Sequence, residues 1–149
     1  MVYPSYMKPG KIFKKYPERY GARILSRIFW AAPSVSVLAH GENEDILVLS
    51  IGGEYRLPGG IIKADEDPKE AARREVKEET GFQVDIHDIL DLRTHEGGFT
   101  VFFEGKVIKG EKNGSWEGEP EFVKKSKIED RVWSLEHSHI REYLFPDEN

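Results

Sequence analysis

The sequence predicts a single α/β/α sandwich, an α/β domain in which helices flank a central mixed β-sheet. The chain has 149 residues, a length that suits one domain and can bury a hydrophobic core. Short β-branched and aliphatic runs recur along it, and one well-delimited amphipathic helix lies between them. We find no internal repeat and no convincing linker, so one sandwich accounts for the chain.

The first 30 residues differ in composition from the rest. They contain seven Lys or Arg against one Glu, a charge of +6 within a total of −5, so the remainder carries −11. Aromatic residues are interleaved with these cations, a pattern that could contact phosphates and stack bases. Apolar residues at helical spacing near Ile24 and Ile28 favour packing instead. We predict a basic aromatic arm over 1–30 that packs on the domain or on a partner subunit, and a globular domain over 31–149.

The first two strands of the domain are predicted as a hairpin. Residues 34–39 and 46–50 are β-branched or aliphatic runs, and the turn-like residues 40–45 separate them. Residues 55–57 then lead into a glycine-containing loop, which comes directly before the helix.

The helix is delimited at both ends by local signals. Asp67 can cap its N-terminus, Pro68 fits the first helical position, and Glu70 completes a D-x-x-E capping pattern. Gly81 is a natural stop after the last turn. The small apolar face consists of Ala71, Ala72 and Val76.

The second half is predicted to hold two strands joined by a glycine turn at 97–98, a charged mobile loop, a short last strand and a C-terminal helix. These elements fall at residues 84–92, 99–107, 109–118, 132–133 and 135–144.

Three carboxylates share one face of the predicted helix. Glu75 lies three residues before Glu78 and four before Glu79, so their side chains are neighbours. Like charges at this spacing destabilise a helix, and a hard divalent cation such as Mg²⁺ would neutralise them. A solvated charged face remains the alternative for these residues alone.

The stretch GIIKADEDPKEAARREVKEETGF, residues 60–82, resembles the signature box of the Nudix hydrolases, G-x5-E-x7-R-E-U-x-E-E-x-G-U, where U is a bulky apolar residue. The preceding Leu57-Pro58-Gly59 also matches the family. Lys63 and Asp65 depart from common family residues, and the position of Asp65 can require a positive φ. The specified positions are all met, by Gly60, Glu66, Arg74, Glu75, Val76, Glu78, Glu79, Gly81 and Phe82.

This resemblance implies a Nudix-type α/β/α sandwich that cleaves a diphosphate bond with the help of Mg²⁺ or Mn²⁺. It implies Glu75, Glu78 and Glu79 as the metal ligands. Arg74 would hold these glutamates in position, and Glu66 would brace the junction between loop and helix. The implied substrate contacts are Tyr55, Arg56, Gly59 and Gly60, with the two glycines allowing the backbone to approach the site closely.

The general base of such a site is expected on a loop beyond the box. The segment WEGEPEF offers Glu117, Glu119 and Glu121, with Glu129 as a more distant candidate. We place Glu119 in the predicted site. Tyr55, Phe99 and Trp116 could each stack on a base or pack in the core or at its rim.

The predicted substrate is a nucleoside diphosphate linked to another group, such as a nucleotide sugar, a dinucleotide or a nucleoside triphosphate. Markers of ADP-ribose and dinucleoside-polyphosphate hydrolases are missing at residues 96–99. Two alternatives remain open: a pyrophosphohydrolase of RNA 5′ ends that uses the basic arm as a clamp, and a non-catalytic ligand-sensing domain.

Composition excludes several other classes. The chain has no cysteine, which rules out disulfides and thiolate metal sites. It has no apolar run of membrane-spanning length and no signal-peptide core. We therefore expect a cytoplasmic protein, with a homodimer as a possible assembly.

Overall fold

A computed structural model describes residues 32–95, 98–128 and 143–145. In these ranges the strands are β1 (Ser34–His40), β2 (Ile46–Ile51), β3 (Glu54–Arg56), β4 (Gly59–Ile61), β5 (Phe82–His95), β6 (Gly98–Gly110) and β7 (Glu119–Val123). The helices are α1 (Pro68–Thr80) and α2 (Lys125–Ile128). The predicted arm, the predicted strand at 132–133 and most of the predicted C-terminal helix lie outside the described residues. No helix among those described is long and apolar enough to cross a membrane.

The strands form one mixed sheet in the order β3-β2-β1-β6-β5, with β4 paired to β1 and β7 paired to β2. The β1–β6 pair is parallel, and the other pairs are antiparallel. The predicted mixed sheet is therefore confirmed, and so is the hairpin of β1 and β2.

The neighbouring strands β1 and β2 separate along their length. They pair only through Ala39–Leu47 and His40–Ile46, after which β2 pairs with β3 and β1 pairs with β4. The connection between β3 and β4 is held against β1 by the Val37 N–H, which donates to the Pro58 carbonyl at 2.9 Å. This separation opens the cleft that contains the candidate site.

Helix α1 has the ends that the sequence predicts. The Asp67 carboxylate accepts hydrogen bonds from the backbone N–H groups of Lys69 and Glu70, and Pro68 begins the helix. Gly81 ends it in the left-handed conformation, with φ at 81°. Asp65, in the loop before the helix, also has a positive φ of 62°, as its position in the box suggested.

The sheet buries an apolar surface on each of its faces, because side chains alternate along a strand. On one face, Val35 and Val37 of β1 pack with Ala71, Ala72 and Val76 of α1. The opposite face contains a second buried cluster, which includes Leu38, Val48, Phe102, Ile128 and Leu144. Helical residues thus cover both faces, in agreement with the predicted α/β/α sandwich.

The loop predicted at residues 109–118 is found over residues 111–118, and the structure corrects its start. Strand β6 continues to Gly110, and the backbone groups of Ser115 and Gly118 bond to each other on the way to β7. Strand β7 itself was not predicted, because Glu and Pro at 119–121 have low strand propensity. Pro120 is tolerated in β7 because, among the described strands, β7 pairs only with β2 and is therefore an edge strand.

Candidate active site

Arg74 organises one glutamate in the loop before α1 and two glutamates in the C-terminal half of the helix. Its Nε and Nη2 donate to both oxygens of Glu66 at 2.7 and 2.9 Å. Its Nη1 donates to Glu75 at 2.6 Å and to Glu78 at 3.3 Å. A further bond from Nη2 to the Ile61 carbonyl, at 3.0 Å, ties the guanidinium to β4. All three guanidinium nitrogens of Arg74 therefore have partners.

Glu66 joins the loop to the helix, in agreement with its predicted bracing role. Besides Arg74, it accepts the Lys63 N–H at 2.9 Å. The hydrogen bonds from Arg74 and from that backbone group lower the pKa of Glu66 from 4.5 to about 2. The same contact, helped by Glu75, raises the pKa of Arg74. Lys63 takes part through its backbone, so the departure from the common family residue leaves this bond intact.

Glu79 points to the opposite side of the site and is buried. Only 4% of its side chain is exposed, and its oxygens accept from Arg56 Nη2 at 2.9 Å and from the Gly59 N–H at 2.8 Å. Burial raises the pKa of Glu79, and the neighbouring Glu117 carboxylate raises it further.

Glu117 comes from the segment before β7 and reaches the same arginine. Its Oε2 lies 2.5 Å from Arg56 Nη2, and its pKa is lowered by the contacts with Glu79 and Arg56. The segment is held by the Glu117 N–H bond to Ser115 Oγ at 3.1 Å and by the close approach of Gly118 to β2. A carboxylate from outside the box is thus placed beside Glu79.

Two adjacent glycines allow this arrangement for different reasons. A Cβ on Gly59 would lie 2.1 Å from the Val35 carbonyl oxygen, so the backbone of β1 excludes any side chain there. A Cβ on Gly60 would lie 2.5 Å from the Glu75 carboxyl carbon. The missing side chain at Gly60 therefore provides the space that the Glu75 carboxylate occupies.

These groups border a cleft of about 440 Å³ between the separated strands. Hydroxyl groups line one wall, where Ser34 Oγ lies 2.7 Å from Thr100 Oγ1. Glu75 and Glu117 contribute carboxylates, and Arg56 is the only cation among the described lining residues. A somewhat smaller cavity of about 320 Å³ beside Phe82 and Phe122 contains none of the box glutamates, so we place the chemistry in the first cleft.

In this arrangement the predicted metal ligands are not placed to bind one metal ion together. In the described parts of the chain, no three His, Cys, Asp or Glu side chains stand together in a geometry that could hold a metal ion. Arg74 holds Glu75 and Glu78, while Arg56 and Gly59 hold Glu79. The donor chemistry nevertheless fits a hard divalent cation, because carboxylate oxygens are its preferred ligands and arginine cations offset their charge here.

The other predicted site residues are distributed unevenly. Arg56, Gly59 and Gly60 line the cleft. Tyr55 is 5% exposed and packs in the second apolar cluster, so its ring lies in the core and not at the cleft. Glu119 has a side chain that is 67% exposed and lies 3.6 Å from Lys112. The structure thus brings Glu117, and not Glu119, to the buried glutamate.

Sequence reasoning missed the hydroxyl-bearing wall of the cleft. Ser34 and Ser36 alternate with valines in β1, and Thr100 lies opposite Ser34 in β6. Polar residues at every second position near the start of a strand are a signal for a cleft wall, since one strand face is otherwise apolar. That signal was present in the motif SVSV.

A model of the NUDIX domain family matches residues 30–144, most of the chain. The chain belongs to the Nudix family. The loop and helix of the site described above are therefore the Nudix box in its folded form, and Nudix hydrolases generally use a divalent metal ion.

A relative of similar sequence agrees with this family assignment. A MutT-like protein of Streptomyces ambofaciens is 35% identical over 83 residues, which are 52% of this chain and 54% of that protein. The chain therefore covers about half the length of this relative.

Solved Nudix structures share the fold. A NUDIX hydrolase from Nitrosomonas europaea superposes with a TM-score of 0.67 at 20% identity, over 78% of this chain and 71% of that one. A UDP-X diphosphatase superposes with a TM-score of 0.60 at 19% identity, over 87% and 68% of the respective chains. Identities at this level show a common fold and leave the substrate open.

Proposed function

We propose that this protein hydrolyses a diphosphate bond in derivatives of nucleoside diphosphates, with Mg²⁺ as its divalent ion and Mn²⁺ as a substitute. The observation that carries the proposal is the meeting of the box glutamates with Glu117 at one cleft. Glu75 and Glu117 line that cleft, and Glu79 is bound to Arg56, which also lines it. Three carboxylates at one cleft suit an anionic substrate only when cations are present.

Each residue has a distinct part in the proposed reaction. Glu75, Glu78 and Glu79 would hold the divalent ion, which supplies charge neutralisation for the diphosphate oxygens and activation of water. Arg74 orients Glu75 and Glu78, and Glu66 fixes Arg74. Glu117 is the favoured general base, because its carboxylate lines the cleft and comes from a segment outside the proposed metal ligands.

The nature of the group beyond the diphosphate is proposed more broadly. A nucleotide sugar, a dinucleotide and a nucleoside triphosphate all present the required anhydride. The fold shared with a UDP-X diphosphatase supports including uridine diphosphate derivatives in any test. A cytoplasmic location and a homodimeric assembly remain predictions from the sequence.

The proposal is tested by incubation with a panel of nucleotide sugars, dinucleotides, nucleoside triphosphates and capped RNA. Each reaction is run with Mg²⁺ and with a chelator, and products are separated by chromatography. A variant in which Glu75, Glu78 and Glu79 are all changed to Gln serves as the blank for contaminating hydrolases. We expect cleavage of one class that requires both the metal ion and the carboxylates. If no substrate in the panel is cleaved, or if the blank variant shows the same cleavage, the proposal is overturned.

A further inference from the structure

Arg56 contacts the buried carboxylate of Glu79, but one of its own N–H donors has no hydrogen-bond partner among the described residues. Both of its ion pairs, to Glu79 at 2.9 Å and to Glu117 at 2.5 Å, use the single nitrogen Nη2. Its Nε is buried and has no hydrogen-bond partner among the described residues. A buried donor without a partner is costly, so this position favours a ligand that completes the set.

The position of Arg56 gives it access to such a ligand. Glu79 is nearly inaccessible, whereas Arg56 and Glu117 are 31% and 30% exposed and both line the cleft. The guanidinium therefore stands between the buried carboxylate and the open space of the cleft. It is also the only cation among the described lining residues.

We propose that Arg56 is an exchangeable cation: it neutralises Glu79 and Glu117 in the metal-free protein, releases Glu79 to a divalent cation, and then binds the diphosphate of the substrate. This inference rests on the function proposed above. It adds the residue that recognises the diphosphate and the order in which its contacts change.

The exchange follows from charge and from the shape of the guanidinium. A divalent cation at Glu79 offsets the same negative charge that Arg56 offsets, so the two cations would repel each other there. The planar guanidinium can bind phosphate oxygens through two parallel N–H bonds, which would include the unpartnered Nε. Release of Arg56 would also free the Glu117 carboxylate for proton transfer.

The movement can be observed directly by NMR of uniformly ¹⁵N-labelled protein, in which both the arginine side chains and the backbone amides give signals. In the metal-free protein, the paired guanidinium of Arg56 should rotate slowly and show separate Nη signals. Saturating Mg²⁺ should merge them, and methylenediphosphonate, a non-hydrolysable diphosphate, should separate them again at new frequencies. The Nε signal of Arg74 provides the internal comparison and should change less, because its partner Glu66 is not among the proposed metal ligands.

The control for this experiment is the backbone amide of Gly59, which donates to Glu79. If the Gly59 signal responds to Mg²⁺ while the Arg56 signals do not, the exchange is overturned and the metal site stands. If neither the Gly59 signal nor those of the box glutamates respond, the proposed function fails, and this inference fails with it.

The second measurement is the affinity for methylenediphosphonate in the presence of Mg²⁺. Arg56→Gln should bind it about tenfold more weakly, because a charge-assisted contact is lost, and Arg56→Lys should recover part of the loss. Arg73→Gln is the matched control, since Arg73 pairs with Glu70 on the outer side of α1. Equal affinity of wild type and Arg56→Gln would overturn the proposal, and circular dichroism would establish that the variants are folded.

Discussion

Arg74 and Arg56 both neutralise box glutamates, but they do so in different ways. Arg74 uses its Nε and both Nη nitrogens, and its partners include two oxygens of one carboxylate and a backbone carbonyl. Arg56 uses one nitrogen for two carboxylates and leaves a buried Nε without a partner among the described residues. A guanidinium whose nitrogens all have hydrogen-bond partners is suited to a fixed support. One with an unpartnered nitrogen is suited to exchange its partners.

The carboxylates on the two sides differ accordingly. Glu66, beside Arg74, has a lowered pKa because it accepts hydrogen bonds from Arg74 and from the Lys63 N–H. Glu79, beside Arg56, has a raised pKa because burial outweighs the compensation that it receives. The Arg74 side therefore stabilises the fold, and the Arg56 side holds the unsatisfied charge that a divalent cation would satisfy.

The largest expected effect is on the Arg56 side. Glu79→Gln should lower kcat about a thousandfold, since a metal ligand contributes several kcal/mol. The same variant should keep its Tm or raise it, because the repulsion between the Glu79 and Glu117 carboxylates is removed and Arg56 keeps Glu117 as its partner. Steady-state kinetics and thermal unfolding measure the two quantities. Unchanged turnover would remove Glu79 from the metal site, and Glu70→Gln is the control on the exposed face of the same helix.

The next largest effect is expected on kcat, when the two candidate general bases are substituted in turn. Glu117→Gln should lower kcat about a hundredfold, within the range for loss of a general base. Glu119→Gln should leave it nearly unchanged, because its side chain is exposed and faces Lys112. The reverse order in single-turnover experiments would restore Glu119, the residue favoured from the sequence.

Removal of Arg74 should mainly reduce stability. Arg74→Met leaves Glu66, Glu75 and Glu78 without their shared cation, so the free energy of unfolding should fall by about 2 kcal/mol in metal-free buffer. Arg73→Met removes an exposed arginine with one partner and should cost no more than about 0.5 kcal/mol. Urea unfolding of both variants gives the comparison, and equal losses would contradict a special supporting role for Arg74.

Substitutions of the adjacent glycines Gly59 and Gly60 should affect stability and activity separately. Gly60→Ala presses on the flexible end of Glu75, so kcat should fall several-fold while the Tm changes little. Gly59→Ala presses on the backbone of β1, which cannot yield, so the Tm should fall substantially. Thermal unfolding and kinetics of the pair test this, and it fails if Gly59→Ala is as stable as Gly60→Ala.

The smallest effect is the acid dependence of stability on the Arg74 side. The pKa of Glu66 is lowered in the folded protein, so its contribution is present above its ordinary pKa of 4.5 and is lost as the pH falls toward about 2. Urea midpoints measured across that interval should fall more steeply for the wild type than for Glu66→Gln. Parallel curves would show that the pKa of Glu66 does not change on folding, and would contradict a stabilising contact with Arg74.

The sequence predicts the Arg74 side better than the Arg56 side. The caps of α1, its stacked glutamates and the positive φ at Asp65 follow from signals within a few residues of each other. The contact between Arg56 and Glu117 joins residues that are 61 positions apart. No spacing rule predicts such a contact, because it depends on how β3 and β7 pair with β2.

The preference for Glu119 over Glu117 has the same origin. The two residues are two positions apart in a segment whose strand was not predicted. Once β7 begins at Glu119 and pairs with β2, the turn at Ser115–Gly118 decides which carboxylate reaches Arg56. Local composition contains no information about that turn's position relative to α1.

The measurement that tests the proposed function most directly is hydrolysis in ¹⁸O-labelled water. A nucleoside diphosphate sugar, or whichever derivative the substrate panel identifies, is cleaved with Mg²⁺, and the products are weighed by mass spectrometry. Attack of water on one phosphorus of the diphosphate yields a nucleoside monophosphate and a sugar phosphate, and predicts one ¹⁸O atom in only one of these two products. Release of a free sugar together with a nucleoside diphosphate, or product formation that a chelator does not inhibit, would contradict a metal-dependent cleavage of the diphosphate bond.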